Sequence, residues 1–341
     1  MYEAYFGLRE KPFSLTPDPS YLYLSERHRE ALAHLLYGVR EPGGFVQLTG
    51  EVGTGKTTVT RALIEELPEN VDLALIYSPA GNVRELLAAI FKELDVPQPP
   101  RRYSVKSLVD ELNDYLLESH ARGRVTAVLV DEAQTLPADV IEELRLLTNL
   151  ETAKAKLLHV ILVGQPELRQ LLDREELRQV AQRITARFHL EPLSRRETAA
   201  YIRHRLAVAG CERPLFTRRA LALAHRFSGG VPRLINSLCD RALLGAYARH
   251  DNQVRGATVR HAAREIANPA FSHRAVPIGL TAAAAVLSVA AAGWYWFPAW
   301  SAAVHAAAER AGIVAPGVGT PEDLAGSAAG PDAEINRAPA E

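Results

Sequence analysis

The stretch Gly50-Glu51-Val52-Gly53-Thr54-Gly55-Lys56-Thr57 has the spacing GxxxxGK[ST], directly after an apolar run at 45–49 and before a helical pattern opening near Thr58. Its glycines let backbone N–H groups close around phosphate oxygens, and the start of the next helix adds partial positive charge. Lys56 is placed to reach the outer phosphates and Thr57 to ligate magnesium, with Glu51, Val52, Thr54 and Thr58 completing the binding segment. A second constellation ends the most apolar run of the chain, where Ala127-Val128-Leu129-Val130 is followed by Asp131 and Glu132. A carboxylate at a strand end beside a phosphate loop can anchor a magnesium shell, and the next glutamate can orient an attacking water. Alone, such an acidic pair would serve equally to end a strand or cap a helix. With the phosphate loop upstream it points to phosphoryl transfer, in which a protein mainly positions groups and stabilises charge.

Bringing these groups together needs strands whose ends converge. Short apolar runs at 45–49, 73–77, 127–131, 159–163 and 188–191 alternate with helical patterns, one of which opens at Ser104 with Val105, Leu108, Val109, Leu112 and Leu116 on one face. This is the pattern of an α/β domain whose parallel sheet is covered on both faces and binds ligands at the carboxyl ends of its strands. Before it lies an arm rich in aromatics and proline, with Phe13, Pro17, Pro19, Tyr21 and Tyr23, then Ser25 as cap for a helix carrying Leu32, Leu35, Leu36 and Val39. After Pro192 the strand signal stops. Ser194 and Glu197 have capping-box spacing, and helical patterns follow at about 195–209, 217–227, 232–249 and 256–267.

The 341 residues carry 39 Lys and Arg against 40 Asp and Glu, a formal net charge of −1. That balance hides unlike segments: 22 basic and 29 acidic residues in 1–194, 15 and 5 in 195–274, and 2 and 6 from 298 onward. The basic block raises nucleic acid or an anionic membrane surface as a partner. A hydrophobic content of 48% with 23% charged residues excludes wholly disordered, collagen-like and disulfide-scaffold chains. Cys211 and Cys239 lack metal-ligand spacing and are expected to be reduced structural thiols. The N-terminus, MYEAYFGLREKPF, has no apolar leader. Residues 275–297, AVPIGLTAAAAVLSVAAAGWYWF, are uncharged and long enough to cross a bilayer core, with Trp294, Tyr295, Trp296 and Trp300 as an aromatic belt. Arg260, Arg264 and Arg274 precede this span and only Arg310 and Arg337 follow it, so the positive-inside rule keeps residues 1–274 in the cytoplasm.

Asp131 and Glu132 after a hydrophobic strand, with the phosphate loop, resemble the Walker B and Walker A motifs of AAA+ ATPases. The segments YFGLREKPFSLTPDPSYLYLSERHREALAHLLYGV, GEVGTGKTT, DEAQTL, ILVGQPEL and QRITARFHLEPLS look like the ExeA/GspA family of secretion-associated ATPases, over about residues 1–270. The resemblance implies an AAA+ parallel-sheet domain with a small all-helical lid, ATP and Mg2+ as cofactors, and hydrolysis to ADP and phosphate. It implies that Gln165 in ILVGQPEL senses the γ-phosphate, and that Arg233 in GGVPRLI is the sensor 2 arginine at the start of a lid helix. Arg187 in TARFHL resembles an arginine finger reaching a neighbouring subunit's nucleotide, with Arg183 as its competitor. The plain alternatives are a polar turn residue for Gln165 and surface ion pairs for the arginines. A finger acting in trans requires a homo-oligomer, most simply a ring.

The expected organisation is an N-terminal arm and helix (1–44), a nucleotide-binding core (45–193), a helical lid (194–270), one transmembrane helix (275–297) and a disordered tail (298–341). The family implies a place in the bacterial inner membrane, with the ATPase cytoplasmic, the tail periplasmic, and envelope secretion or export proteins as partners. Some relatives carry a folded peptidoglycan-binding module beyond the membrane helix, and this tail is too short and polar for one. A branch associated with exopolysaccharide export and PEP-CTERM sorting shares the ATPase body and is the competing family reading. A DNA-associated ATPase of transposition type is another, because the basic lid could bind phosphates. Anionic lipid headgroups beside a membrane-tethered lid account for the same charge, so nucleic acid is the lesser expectation. An ATP-binding scaffold without turnover is the third class, and Glu132 argues against it.

Overall fold

The computed structural model describes residues 1–266, apart from 17, 41–43, 78–80, 98–103 and 154, together with 307, 310 and 311. Residues 1–268 form one compact unit and residues 269–341 a second. The span expected at 275–297 lies outside the described residues, and of the tail at 298–341 only Ala307, Arg310 and Ala311 are described. Among the described residues no helix is long and apolar enough to cross a membrane.

The first unit opens with α1 (Tyr2–Phe6) and α2 (Glu26–Arg40), then alternates β1 (Gly44–Gly50), α3 (Lys56–Glu66), β2 (Val71–Ile76), α4 (Val83–Glu93), α5 (Val105–Ala121) and β3 (Val125–Val130). It continues through α6 (Ala138–Leu147), β4 (Leu158–Gly164), α7 (Glu167–Leu172), α8 (Arg178–Gln182) and β5 (Ile184–Leu190), and closes with α9 (Arg195–Val208), α10 (Arg218–Ser228), α11 (Pro232–Ala248) and α12 (Gly256–Ile266). The strands make one parallel sheet in the order β2-β3-β4-β1-β5. Helices cover both faces, so β4 is buried at every position and reads as an apolar run interrupted only by His159. Val128 and Val130 meet Leu86, Ile90, Leu112 and Leu144 on one face. Leu129 points the other way, toward Leu35 of α2 and Leu63 of α3. Strand β5 begins four residues before the apolar run that announced it. As the outermost strand it alternates, with Thr185 and Arg187 exposed, so half of its pattern is polar.

Register places the chemistry. Val130 pairs with Leu162, Thr49 with Gly164, and Gly50 with Leu190, so the chain leaves β3, β4 and β1 at one edge of the sheet. Asp131, Gln165 and the phosphate loop follow those strands directly.

The arm packs elsewhere. Tyr2, Phe6, Leu8, Phe13 and Tyr21 share an apolar cluster with Ile202, Leu206, Phe216, Ile235 and Leu243 of the helical segment. Arg205 of α9 secures this contact. Buried against the arm, it donates to the Pro12 carbonyl at 2.6 Å, the Ser14 carbonyl at 3.3 Å and the Tyr201 hydroxyl at 2.9 Å, while its guanidinium lies 4.6 Å from the centre of the Tyr21 ring. The Tyr2 phenol donates to Asp240, and the Arg9 amide to the Ala209 carbonyl at 2.8 Å. Residues 1–44 therefore serve two cores, the arm joining the helices and α2 the sheet. Cys211 and Cys239 are free and buried in the helical core.

Replacing Arg205 by Ala leaves the Pro12 and Ser14 carbonyls without their donor. We expect a loss of about 2–4 kcal/mol in urea unfolding. A loss below about 1 kcal/mol would mean that aromatic packing alone holds the arm.

Candidate functional site

The phosphate loop turns between β1 and α3 by a path that side chains would block. Gly53 and Gly55 have φ of +80° and +108°, in the left-handed region that glycine occupies without strain. A Cβ on Gly53 would stand 2.7 Å from Cβ of Arg233, and one on Gly55 would stand 2.5 Å from Nε2 of His28. Lys56 is buried, and its ammonium donates to the carbonyls of Gly50 at 2.8 Å and Glu51 at 3.2 Å. The Thr54 hydroxyl donates to the Glu51 carbonyl at 2.8 Å and closes the inner turn. Burial pushes the Lys56 pKa down, against the opposing pull of Glu132 and Asp131. Thr57 is exposed in the first turn of α3.

Asp131 and Glu132 are neighbours in the chain with opposite environments. Asp131 is buried at the end of β3. Its amide donates to the Ile76 carbonyl at 2.9 Å, and its Oδ1 accepts from the Glu132 amide at 2.9 Å. Burial pushes its pKa up, Glu132 adds to this, and the hydrogen bond and Lys56 oppose it. A buried carboxylate short of water suits a hard divalent cation, so the donor chemistry fits a magnesium site shared with Thr57. Glu132 has a φ of +52°, a conformation worth about 1 kcal/mol of strain in a residue with a Cβ. Two amides hold its carboxylate there. Oε2 accepts from Gln165 Nε2 at 3.0 Å and from Gln134 Nε2 at 2.6 Å, and Gln134 Oε1 accepts the Gln165 backbone amide at 3.0 Å. The bond from Gln165, aided by Gln134 and Lys56, holds the Glu132 pKa below the usual carboxylate range although burial opposes it.

Arg233 sits in the first turn of α11, after Pro232, and its amide lies 3.4 Å from the Gly53 carbonyl. A cleft of about 430 Å³ is lined by Val52, Gly53, Gly55, Lys56, Thr57, Thr58, Glu132 and Arg233, and also by Tyr21, Tyr23, Tyr201 and Asn236. The structure thus gathers the loop, Glu132 and Arg233 in one cleft. Neither Arg187 nor Arg183 is among its described lining residues. Arg187 is exposed on β5 and donates to the Ala181 carbonyl at 2.7 Å. It lines a separate groove with Arg169, Asp173 and His189. Arg183 is committed to the C-terminal end of α6, donating to the Arg145 carbonyl at 3.3 Å and the Thr148 hydroxyl at 3.2 Å. Sequence reasoning missed Gln134, the brace of Glu132, and His28, which touches the loop. The spacing of His28 with Leu32, Leu35 and Val39 on the buried stripe of α2 was the available signal for the latter.

Residues 39–172 match the family described as AAA domain. Over 296 residues the chain is 52% identical to General secretion pathway protein A of Aeromonas hydrophila, a match covering 87% of this chain and 54% of that protein. The chain thus spans about half the length of the curated relative it matches. Among solved structures, Cdc6p from Pyrobaculum aerophilum is similar with a TM-score of 0.58 at 21% identity, over 74% of this chain and 70% of that one. The Aeropyrum pernix ORC2 protein, in ADPNP and ADP complexes, has a TM-score of 0.57 at 21% identity, over 75% and 71%. At these identities the likeness is one of fold alone, and it is the five-stranded parallel α/β arrangement of AAA proteins.

Gly53→Ala puts a methyl group into the lid contact and a Cβ on a left-handed residue. Affinity for a fluorescent ATP analogue should fall at least about fivefold, by anisotropy titration, because the strain exceeds about 1 kcal/mol. Unchanged affinity would show that the lid does not need to approach the loop this closely.

Proposed function

We propose that this chain, whose residues 39–172 match the AAA domain and which is 52% identical over 296 residues to General secretion pathway protein A, is an ATPase: a membrane-anchored oligomer coupling ATP hydrolysis to assembly or remodelling of an envelope secretion complex. The observation that carries the catalytic part is the network in which Gln134 and Gln165 hold the Glu132 carboxylate in the cleft that Lys56 also lines.

In this reading the loop amides and the start of α3 receive the outer phosphates, and Lys56 exchanges its Gly50 and Glu51 carbonyls for phosphate oxygens. Thr57 and Asp131 would hold Mg2+, which when bound would supply charge neutralisation for the phosphates. Glu132, kept ionised by its two amide donors, accepts a hydrogen bond from the attacking water. The water oxygen bonds to the γ-phosphorus as the bond to the bridging oxygen breaks. The water's proton passes through Glu132 to the departing phosphate, leaving ADP and phosphate. Gln165 can trade its bond to Glu132 for one to the γ-phosphate, and Arg233 ties the lid to the loop. Arg187, exposed on the outer strand and away from its own cleft, is assigned to a neighbouring subunit's nucleotide in a ring. The span at 275–297 would fix the chain once in the bacterial inner membrane, with the ATPase cytoplasmic and the tail periplasmic. The surplus of basic residues in 195–274 then stands beside anionic headgroups.

Lys56→Ala should abolish nucleotide binding or turnover. Glu132→Gln should retain ATP binding and lose at least about 100-fold in kcat, measured by phosphate release. A fully active Glu132→Gln protein would remove the water-activating role. Mixing the separately inactive Arg187→Ala and Lys56→Ala subunits should restore activity if the finger acts in trans, and no recovery counts against that assignment. For the membrane part, turnover stimulated by anionic vesicles is expected. Stimulation by DNA in salt-sensitive fashion would move the chain to a nucleic-acid class.

A further inference from the structure

His28 is a buried titratable group with no part in the chemistry above. It lies in the first turn of α2 and is 2% exposed. Its two ring nitrogens are both engaged. Nδ1 is 2.6 Å from Oγ of Ser25, and Nε2 is 3.1 Å from the carbonyl oxygen of Thr54 inside the phosphate loop.

The proton arrangement follows from what each partner can do. The Thr54 carbonyl only accepts, so Nε2 carries hydrogen. Burial pushes the ring's pKa down and favours its neutral form, so Nδ1 accepts the Ser25 hydroxyl proton. Ser25 thus sets the rotation of the ring, and the ring sets the Thr54 carbonyl.

The peptide joining Thr54 to Gly55 is the part of the loop most in need of a fixed orientation. In a planar trans peptide the carbonyl and the following N–H point in opposite directions. Holding the Thr54 oxygen on the His28 ring therefore aims the Gly55 N–H away from α2. Gly55 lines the cleft, and with a φ of +108° and no Cβ it offers little steric resistance to a flip of this peptide. A flipped peptide would present a carbonyl oxygen where a phosphate needs a donor.

We infer that His28 is a positioning residue, oriented by Ser25, which pins the Thr54 carbonyl so that the Gly55 amide faces the cleft. The functional consequence rests on the ATP reading of the loop. The pin itself does not.

Two variants separate the ring's contacts. In His28→Gln the amide nitrogen reaches the position of Nε2 and still donates to Thr54. In His28→Asn the side chain can reach Ser25 but falls short of the loop. Hydrogen exchange of the 53–57 segment in nucleotide-free protein should rise about fivefold or more in His28→Asn and stay within about twofold of the parent in His28→Gln. Affinity for a fluorescent ATP analogue should fall about tenfold in the first and hold in the second, with similar melting temperatures for both. Equal behaviour of the two variants, in either direction, overturns the inference. If His28→Asn does not fold, Ser25→Ala, which strips the ring of its orienting partner, must loosen the same segment or the inference fails. A parent protein that fails to bind the ATP analogue, with loop exchange still raised by His28→Asn, would overturn the ATP reading and leave the pin standing.

Discussion

A loop that wraps phosphate must turn successive backbone amides inward, and no side chain fits on the inside of such a turn. Gly53 and Gly55 meet that demand, and their missing side chains leave room for close packing from outside. Arg233 of α11 approaches the first glycine and His28 of α2 the second, each within the radius that a methyl group would claim. The loop is therefore shaped by its neighbours as much as by its own sequence. The arrangement of sheet, α2 and helical segment can be understood as what brings those two neighbours to one place.

The same economy of space governs the charges. Asp131 and Glu132 follow one another, yet burial raises the proton affinity of the first while the Gln165 hydrogen bond, aided by Gln134, lowers that of the second. Groups so close would ordinarily repel and titrate together. Here the left-handed turn at Glu132 separates them, one directed into the protein and the other toward two amide donors. Divergent environments of this kind are how adjacent carboxylates come to do different work. The strain at Glu132 is offset by Gln134, which bonds Glu132 and the Gln165 backbone simultaneously.

Much of this was legible in the residues. The phosphate loop carries its own spacing, the interior strands β3 and β4 are apolar but for Thr126 and His159, and the helices from α9 onward end within a residue of their patterns because capping and Gly breaks punctuate them. The rest depends on contacts between distant segments. The aromatics of the arm, Tyr2, Phe6 and Phe13, say that it is buried but not against what, and only the fold shows that its partner is the helical segment about two hundred residues later. Arg205 reads as one more surface arginine in a basic stretch. Its burial comes from backbone carbonyls of the arm, which leave no trace in side-chain spacing. Strand β5 shows only its last residues, from 188 on, in the apolar pattern, because an edge strand buries only alternate residues. His28 carries no local mark of its role, since nothing in the stripe of α2 reveals that it ends against a carbonyl of the phosphate loop.

The interlock between the arm and the helices also constrains how the chain is made. Tyr2 bonds to Asp240, and Arg205 to Pro12, so the arm finds its partners only when about two hundred further residues, almost the whole unit, have been synthesised. At roughly 5–20 residues per second, the arm waits on the order of tens of seconds with its aromatics exposed. The sheet can assemble in that interval, since all its strands precede α9. Docking of the arm is then a late step, and it reports that the chain has been translated through α11. The nucleotide cleft, whose walls include Tyr21 from the arm and Tyr201 and Arg233 from the helices, is complete only after it. A nascent chain would thus hold its sheet well before it could close on ATP.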